Sequence, residues 1–163
     1  MSDFARWFRS NRHRGALVYS SQAEIDGDTP LVFDVEEYDT DNLHDVVQDR
    51  NESRQKSRFL IPSGVQFAKL EARVVVRHTR DSRPSIGFRK NNEFFNCGIG
   101  MGAWPLELIE QQLAQNPVSI YICTPWIPVS HVDSFDLVAN DDLDTPGYVK
   151  GGENGTWFSI QVR

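Results

Sequence analysis

Carboxylates are the groups in this sequence whose types and spacing could do chemistry. Asp39-x-Asp41 and Asp141-Asp142-x-Asp144 each gather acidic side chains within a few residues. Such clusters offer the oxygen ligands that calcium, a hard cation, takes. Neither follows the EF-hand spacing, because Leu43 stands where the next ligand after Asp41 is needed. The expectation is no cofactor and no resident metal, with Asp39, Asp41, Asp141, Asp142 and Asp144 as the ligands should calcium bind. The competing reading is that these acidic loops keep the surface soluble and favour turns. His44-Asp45 and His131-x-Asp133 read as polar loop pairs. There is no G-x-S-x-G elbow, no H-E-x-x-H and no P-loop. Nothing assembles a nucleophile with a base and an orienting group, so no enzyme is expected. A glycosidase would need two carboxylates facing across a cleft, and the sequence gives no reason to choose a pair. Carbohydrate binding would use exposed aromatics to stack sugar faces. Trp104 and Trp126, both next to prolines, and Tyr38 in the acidic segment are the candidate ligand-binding residues. Buried structural tryptophan is the alternative for Trp104 and Trp126.

The 163 residues suit one domain, with 39% hydrophobic and 25% charged residues as in ordinary globular proteins. A net charge of −6 argues against nucleic acid as a general partner. No run of 18 apolar residues occurs, so no membrane insertion is expected. The start, Met1-Ser2-Asp3-Phe4, lacks the apolar core of a signal peptide. Cys97 and Cys123 are the only cysteines and read as buried thiols. Asn51-Glu52-Ser53 and Asn154-Gly155-Thr156 are sequons that matter only in a eukaryotic secretory setting.

Residues 1–14 differ from the rest. Arg6, Arg9, Arg12 and Arg14 make this tail basic in an acidic protein. Phe4, Trp7 and Phe8 stand at i, i+3 and i+4, on one face of a helical turn. So short a helix needs a partner surface. Phe4, Arg6, Trp7, Phe8 and Arg9 are therefore the candidate docking residues, suited to an acidic groove. The alternative is a tail that frays or folds onto its own domain.

From Gly15 onward the pattern is β. Strands are expected over 15–19, 31–35, 58–61, 66–78, 85–90, 93–97, 118–123, 135–139 and 156–162. Between Leu70 and Val76 the even positions are apolar and most odd ones charged, as in a sheet with one wet face. Asn91-Asn92 suits a hairpin, and Pro62-Ser63-Gly64 a turn. Residues 39–57 read as a long exposed loop, 98–102 as a flexible connection, and 118–123 as a buried strand. Residues 124–128, flanked by prolines, read as an edge or crossover. One helix is expected from Trp104 to Gln115. Pro105 fits its first turn, Leu106, Ile109 and Leu113 share a face, and Asn116-Pro117 stops it. Many short strands with turns between them make a β-sandwich or barrel.

Four stretches, in this order, resemble the jelly-roll superfamily shared by the complement 1q globular head and tumour necrosis factor (TNF). They are FDVEEYDTDNLHD (33–45), SRFLIPSGV (57–65), GFRKN (87–91) and TWFSIQV (156–162). The resemblance covers about residues 15–163 and is closest to bacterial and phage versions. It implies an all-β, ten-stranded jelly-roll sandwich with one short inserted helix, forming a homotrimer, with the C-terminal strand central in the inner sheet. Trp157, Phe158, Ile160 and Val162 supply more apolar surface than one sheet face needs, so they are the expected trimer interface. The resemblance further implies a non-enzymatic virion structural protein, such as a fibre, spike, decoration or tail-tip component. Its tail (1–14) would dock on a capsid, portal or tail protein, and its jelly-roll domain (15–163) would present loops to a host-surface glycan. Its expected place is the virion, assembled in the host cytoplasm. The alternative is an extracellular, lectin-like or adhesion module of the same fold.

Overall fold

The computed structural model describes residues 14–21, 23–25, 30–48, 55–77, 85–101, 118–140, 147–149, 151 and 155–163. Among these residues the chain forms strands β1 (Arg14–Tyr19), β2 (Ala23–Ile25), β3 (Val35–Asp39), β4 (His44–Gln48), β5 (Gln55–Leu60), β6 (Phe67–Arg77) and β7 (Ser85–Lys90). They continue with β8 (Glu93–Met101), β9 (Val118–Cys123), β10 (Ile127–Pro128), β11 (Ser134–Asn140), β12 (Gly147–Val149) and β13 (Trp157–Val162). The larger sheet runs β2-β12-β6-β13-β1-β3, with β9 and β10 also paired to β6. The smaller sheet runs β4-β5-β11-β7-β8. β13 lies inside the larger sheet between β6 and β1, as the resemblance implies.

Period-2 alternation builds the core between the sheets. β6 turns Ala68, Leu70, Ala72 and Val74 inward, and β11 turns Phe135, Leu137 and Ala139 to meet them. Phe158 sits at the centre, its ring 4.5 Å from Phe59, 5.7 Å from Phe33 and 5.6 Å from Phe88. This corrects the expected interface. Phe158, Ile160 and Val162 are buried in the core of a single chain and have no surface to give a neighbour. Trp157 alone of the four points to the other face, where it packs against Leu17, Tyr19 and Tyr38. Counting apolar residues in β13 could not separate its two faces.

Several elements differ from expectation for local reasons. Residues 39–57 are not one loop, because β4 and β5 pair from His44↔Phe59 to Gln48↔Gln55. Asp45 on β4 is the cross-strand partner of Arg58 on β5, with Arg58 Nη2 2.8 Å from Asp45 Oδ2, and the polarity of this stretch mimicked a loop. The strand expected at 31–35 starts at Val35 instead. Pro30 has no N–H for a ladder, and Phe33 is held by the Ser57 side chain, whose Oγ accepts the Phe33 N–H at 2.8 Å. Residues 98–101 continue β8, with Gly87↔Ile99 and Ile86↔Gly100 in register. β9 is wet on one side, and Cys123 is a free, exposed thiol rather than a buried one. The expected helix at 104–115, the sequon at 51–53, Asn154 of the other sequon, Cys97's side chain and the docking tail at 1–13 lie outside the description; Thr156 of the second sequon is buried, its Oγ1 accepting the Val75 N–H at 3.0 Å. Arg14, grouped with the tail, begins β1 and pairs with Asp41.

The turns follow their residues. Asn91 (φ 54°) and Asn92 (φ 69°) form the β7–β8 hairpin as a primed turn, and Gly64 (φ 88°) closes the turn before β6. Val132 also takes a positive φ, 73°, which is strained for a β-branched residue. The Asp133 carboxylate holds that turn. It accepts from Ser130 N–H at 2.7 Å, Asn91 Nδ2 at 3.0 Å and Lys90 Nζ at 2.9 Å.

Candidate binding surface

The face of the larger sheet turned away from the core is the richest chemical surface among the described residues. Alternation on β6, β13 and β9 sends Phe67, Lys69, Glu71 and Arg73, then Trp157, Ser159, Gln161 and Arg163, then Ser119, Tyr121 and Cys123, to this side. Register aligns them across the sheet, Arg73 beside Trp157 and Tyr121, and Glu71 beside Ser159 and Cys123. One end holds an aromatic cluster of Tyr19, Tyr38 and Trp157 with Leu17. Tyr121 extends it, its ring 6.1 Å from Trp157 and edge-on, and remains 54% exposed. The middle is polar. Lys69 pairs with Glu71, and Arg73 Nε donates to Ser119 Oγ at 2.8 Å. The other end holds Phe67, Trp126 and Arg163. The Arg163 guanidinium carbon lies 4.4 Å above the Trp126 ring and 5.2 Å from the Phe67 ring centre.

Burial raises the Tyr121 hydroxyl pKa, with Glu71 and Cys123 adding to the effect. Burial, helped by Tyr19, Glu71 and Asp39, raises that of Tyr38 further. Both phenols are therefore neutral at ordinary pH, fit for packing and hydrogen bonding rather than for acting as bases.

The other sequence candidates fall as follows. Tyr38 is 9% exposed, inside the aromatic cluster and not on an open loop. Trp126 is 37% exposed, and its segment is tied to β6 by Thr124, whose Oγ1 accepts the Leu70 N–H at 3.0 Å. Asp39 Oδ1 and Oδ2 accept the Asp41 and His44 N–H groups at 3.1 and 2.8 Å. Asp41 takes the Arg14 fork, at 2.7 Å from Nη2 and 3.0 Å from Nε. That fork and the Thr40 hydrogen bond outweigh its partial burial and hold its pKa below the ordinary carboxylate range. These two carboxylates are committed to a turn and an ion pair, and no metal-binding group occurs among the described residues. His44 is a strand residue packed edge-on to Phe59, 6.0 Å between ring centres, not a loop residue. Trp104, Asp141, Asp142 and Asp144 lie outside the description. Sequence reading missed Tyr121, Phe67 and Arg163. The alternation Ser119-Ile120-Tyr121-Ile122-Cys123 was the available signal for the first.

No protein-family model and no curated relative matches the sequence. Solved structures do match in shape. A crystal structure of murine APRIL at pH 5.0 superposes with a TM-score of 0.57 at 9% identity, covering 93% of this chain and 99% of that one. The structure of Eiger TNF from S. frugiperda gives 0.55 at 9% identity, covering 93% and 92% of the two chains. Murine APRIL at pH 8.5 gives 0.53, also at 9% identity, covering 92% and 100%. At such identities the likeness speaks for the fold alone: the chain is an all-β, TNF-like jelly roll.

Proposed function

We propose that this protein is a self-assembling, non-enzymatic TNF-like module that forms a homotrimer. The observation that carries this reading is the half-exposed Tyr121, edge-on to the part-buried Trp157 on the outward face of the larger sheet and backed by the buried Tyr19 and Tyr38. Tyr and Trp dominate the anchors of protein interfaces, and exposed aromatics in contact with a larger cluster mark such surfaces. A threefold arrangement joins this face to a different patch on the next copy, so the contact closes into a ring. Within that reading the module is a component of a virion or phage-like particle. Phe4, Arg6, Trp7, Phe8 and Arg9 fasten it to a capsid, portal or tail protein, and its exposed loops meet the host surface. The basic, aromatic composition of the tail supports this docking role.

Light scattering on the purified chain tests the assembly. The expected mass is three times that of one chain, and Tyr121→Glu reduces it toward one while the fold is retained. A monomeric wild type refutes the trimer. Removal of residues 1–13 is expected to leave the trimer intact and abolish binding to the particle. Particle binding that survives the deletion refutes the docking role.

A further inference from the structure

Most of the cationic side chains among the described residues have a polar partner. Arg14, Arg58 and Arg89 pair with Asp41, Asp45 and Asp136, and Lys69 and Lys90 pair with Glu71 and Asp133. Arg73 donates to Ser119. Arg163 is the exception among the described side chains: its contacts are two aromatic rings, with no carboxylate and no hydrogen-bonded oxygen. Among the described guanidiniums Arg73 and Arg163 have no carboxylate partner, and Arg163 alone has no polar partner either.

The backbone around it is tied to β6. The Arg163 N–H donates to Phe67 O at 3.0 Å, and Arg163 O accepts from the Gln66 and Phe67 N–H groups, each at 3.0 Å. Trp126 is fixed between the buried Thr124 and the buried Ile127. Trp126 and Phe67 are each 37% exposed, so both rings keep open surface beside the cation. A guanidinium stacked on an aromatic face keeps its in-plane N–H edge free, the edge that grips a carboxylate with two parallel hydrogen bonds.

We propose that Phe67, Trp126 and Arg163 form a binding site for a carboxylate-bearing sugar, of the uronic or sialic acid kind. The guanidinium takes the carboxylate, and the exposed aromatic surface packs against the C–H face of the ring. A single cation between two aromatics suits a ligand with one negative charge and an apolar face. A polyanion would require several cations together, and Arg163 is the one cation stacked at these two rings. The site is separate from the aromatic cluster of the proposed trimer contact. Arg163 is six residues along the chain from Trp157, or roughly 20 Å at about 3.3 Å per strand residue. The inference gives a ligand class to the host-surface part of the proposed function, and it rests on that reading.

The test is an NMR titration of the full chain, following the Trp126 indole N–H, with the mass of each sample measured alongside. The probes are methyl glucuronide, methyl glucoside, sodium acetate and a short glutamate-containing peptide. Saturable shifts are expected with methyl glucuronide, and binding at least about tenfold weaker with the other three. Arg163→Gln is expected to weaken glucuronide binding about tenfold with the melting temperature and mass unchanged. Trp126→Phe, which keeps a ring, should weaken it less. Equal binding of glucuronide and glucoside, no glucuronide binding, or indifference to Arg163→Gln would each overturn the site. A peptide that binds as tightly as the glucuronide would overturn the sugar assignment. A trimer that binds no glucuronide refutes this site alone, whereas a monomeric wild type refutes the assembly.

Discussion

Phe158 and Trp157 are neighbours in sequence that face opposite sides of one sheet, and truncating each should fail in a different way. The Phe158 ring is 1% exposed and meets Phe33, Phe59 and Phe88 at centre distances of 5.7, 4.5 and 5.6 Å. Phe158→Ala removes a large ring from a close-packed site whose neighbours come from both sheets, so the site cannot collapse freely. Such truncations cost about 3–5 kcal/mol, and the three ring contacts place this one toward the upper end. For a chain of this size that is a fall of about 10 °C or more in melting temperature. Trp157→Ala, on the half-buried outward face, should cost about 1–2 kcal/mol and lower the mass of the assembly. Denaturant unfolding read by circular dichroism gives the stability, and light scattering below the midpoint gives the mass. The core reasoning fails if Phe158→Ala costs under about 1 kcal/mol while the assembly dissociates. That result would return Phe158 to an intersubunit surface.

Three further outcomes follow from local chemistry. Burial alone would raise the Asp133 pKa, but Lys90, the Ser130 N–H and Asn91 outweigh it, and the net shift is downward. A depressed folded pKa means stability that is present above the unfolded value of about 4 and is lost as pH falls below it. A melting series from pH 7 to pH 2 should fall steeply below about pH 4, and less steeply for Asp133→Asn, which is also less stable at pH 7. The Tyr38 pKa is raised, chiefly by burial, so the stability tied to its neutral form holds below about pH 10 and fades above it. Tyr38→Phe should resist alkaline melting better than the wild type, and an identical alkaline profile would show that the phenol is not the titrating group. Val132, at φ 73° and 72% exposed, gains nothing from burial to offset its strain. Val132→Asn should therefore stabilise the protein by about 1 kcal/mol in denaturant midpoint analysis.

The class of fold and much of its punctuation were legible in local patterns along the chain. The alternation Leu70-Glu71-Ala72-Arg73-Val74 gave a half-wet strand, and it is one because period 2 is a property of the backbone alone. Asn91-Asn92 and Pro62-Ser63-Gly64 gave turns for the same reason, since tolerance of positive φ belongs to the residue. Tertiary structure alone decided what the faces are used for. Asp45 looked like a loop charge until β4 was paired with β5 and Arg58 came to its side. Phe158, Ile160 and Val162 looked like surplus until the smaller sheet was laid over them. Arg163 stood out only when Phe67 and Trp126, far from it in sequence, were brought to its side. Cross-strand register and sheet stacking bring distant residues together, and no local pattern along the chain records which side of a strand the second sheet will cover.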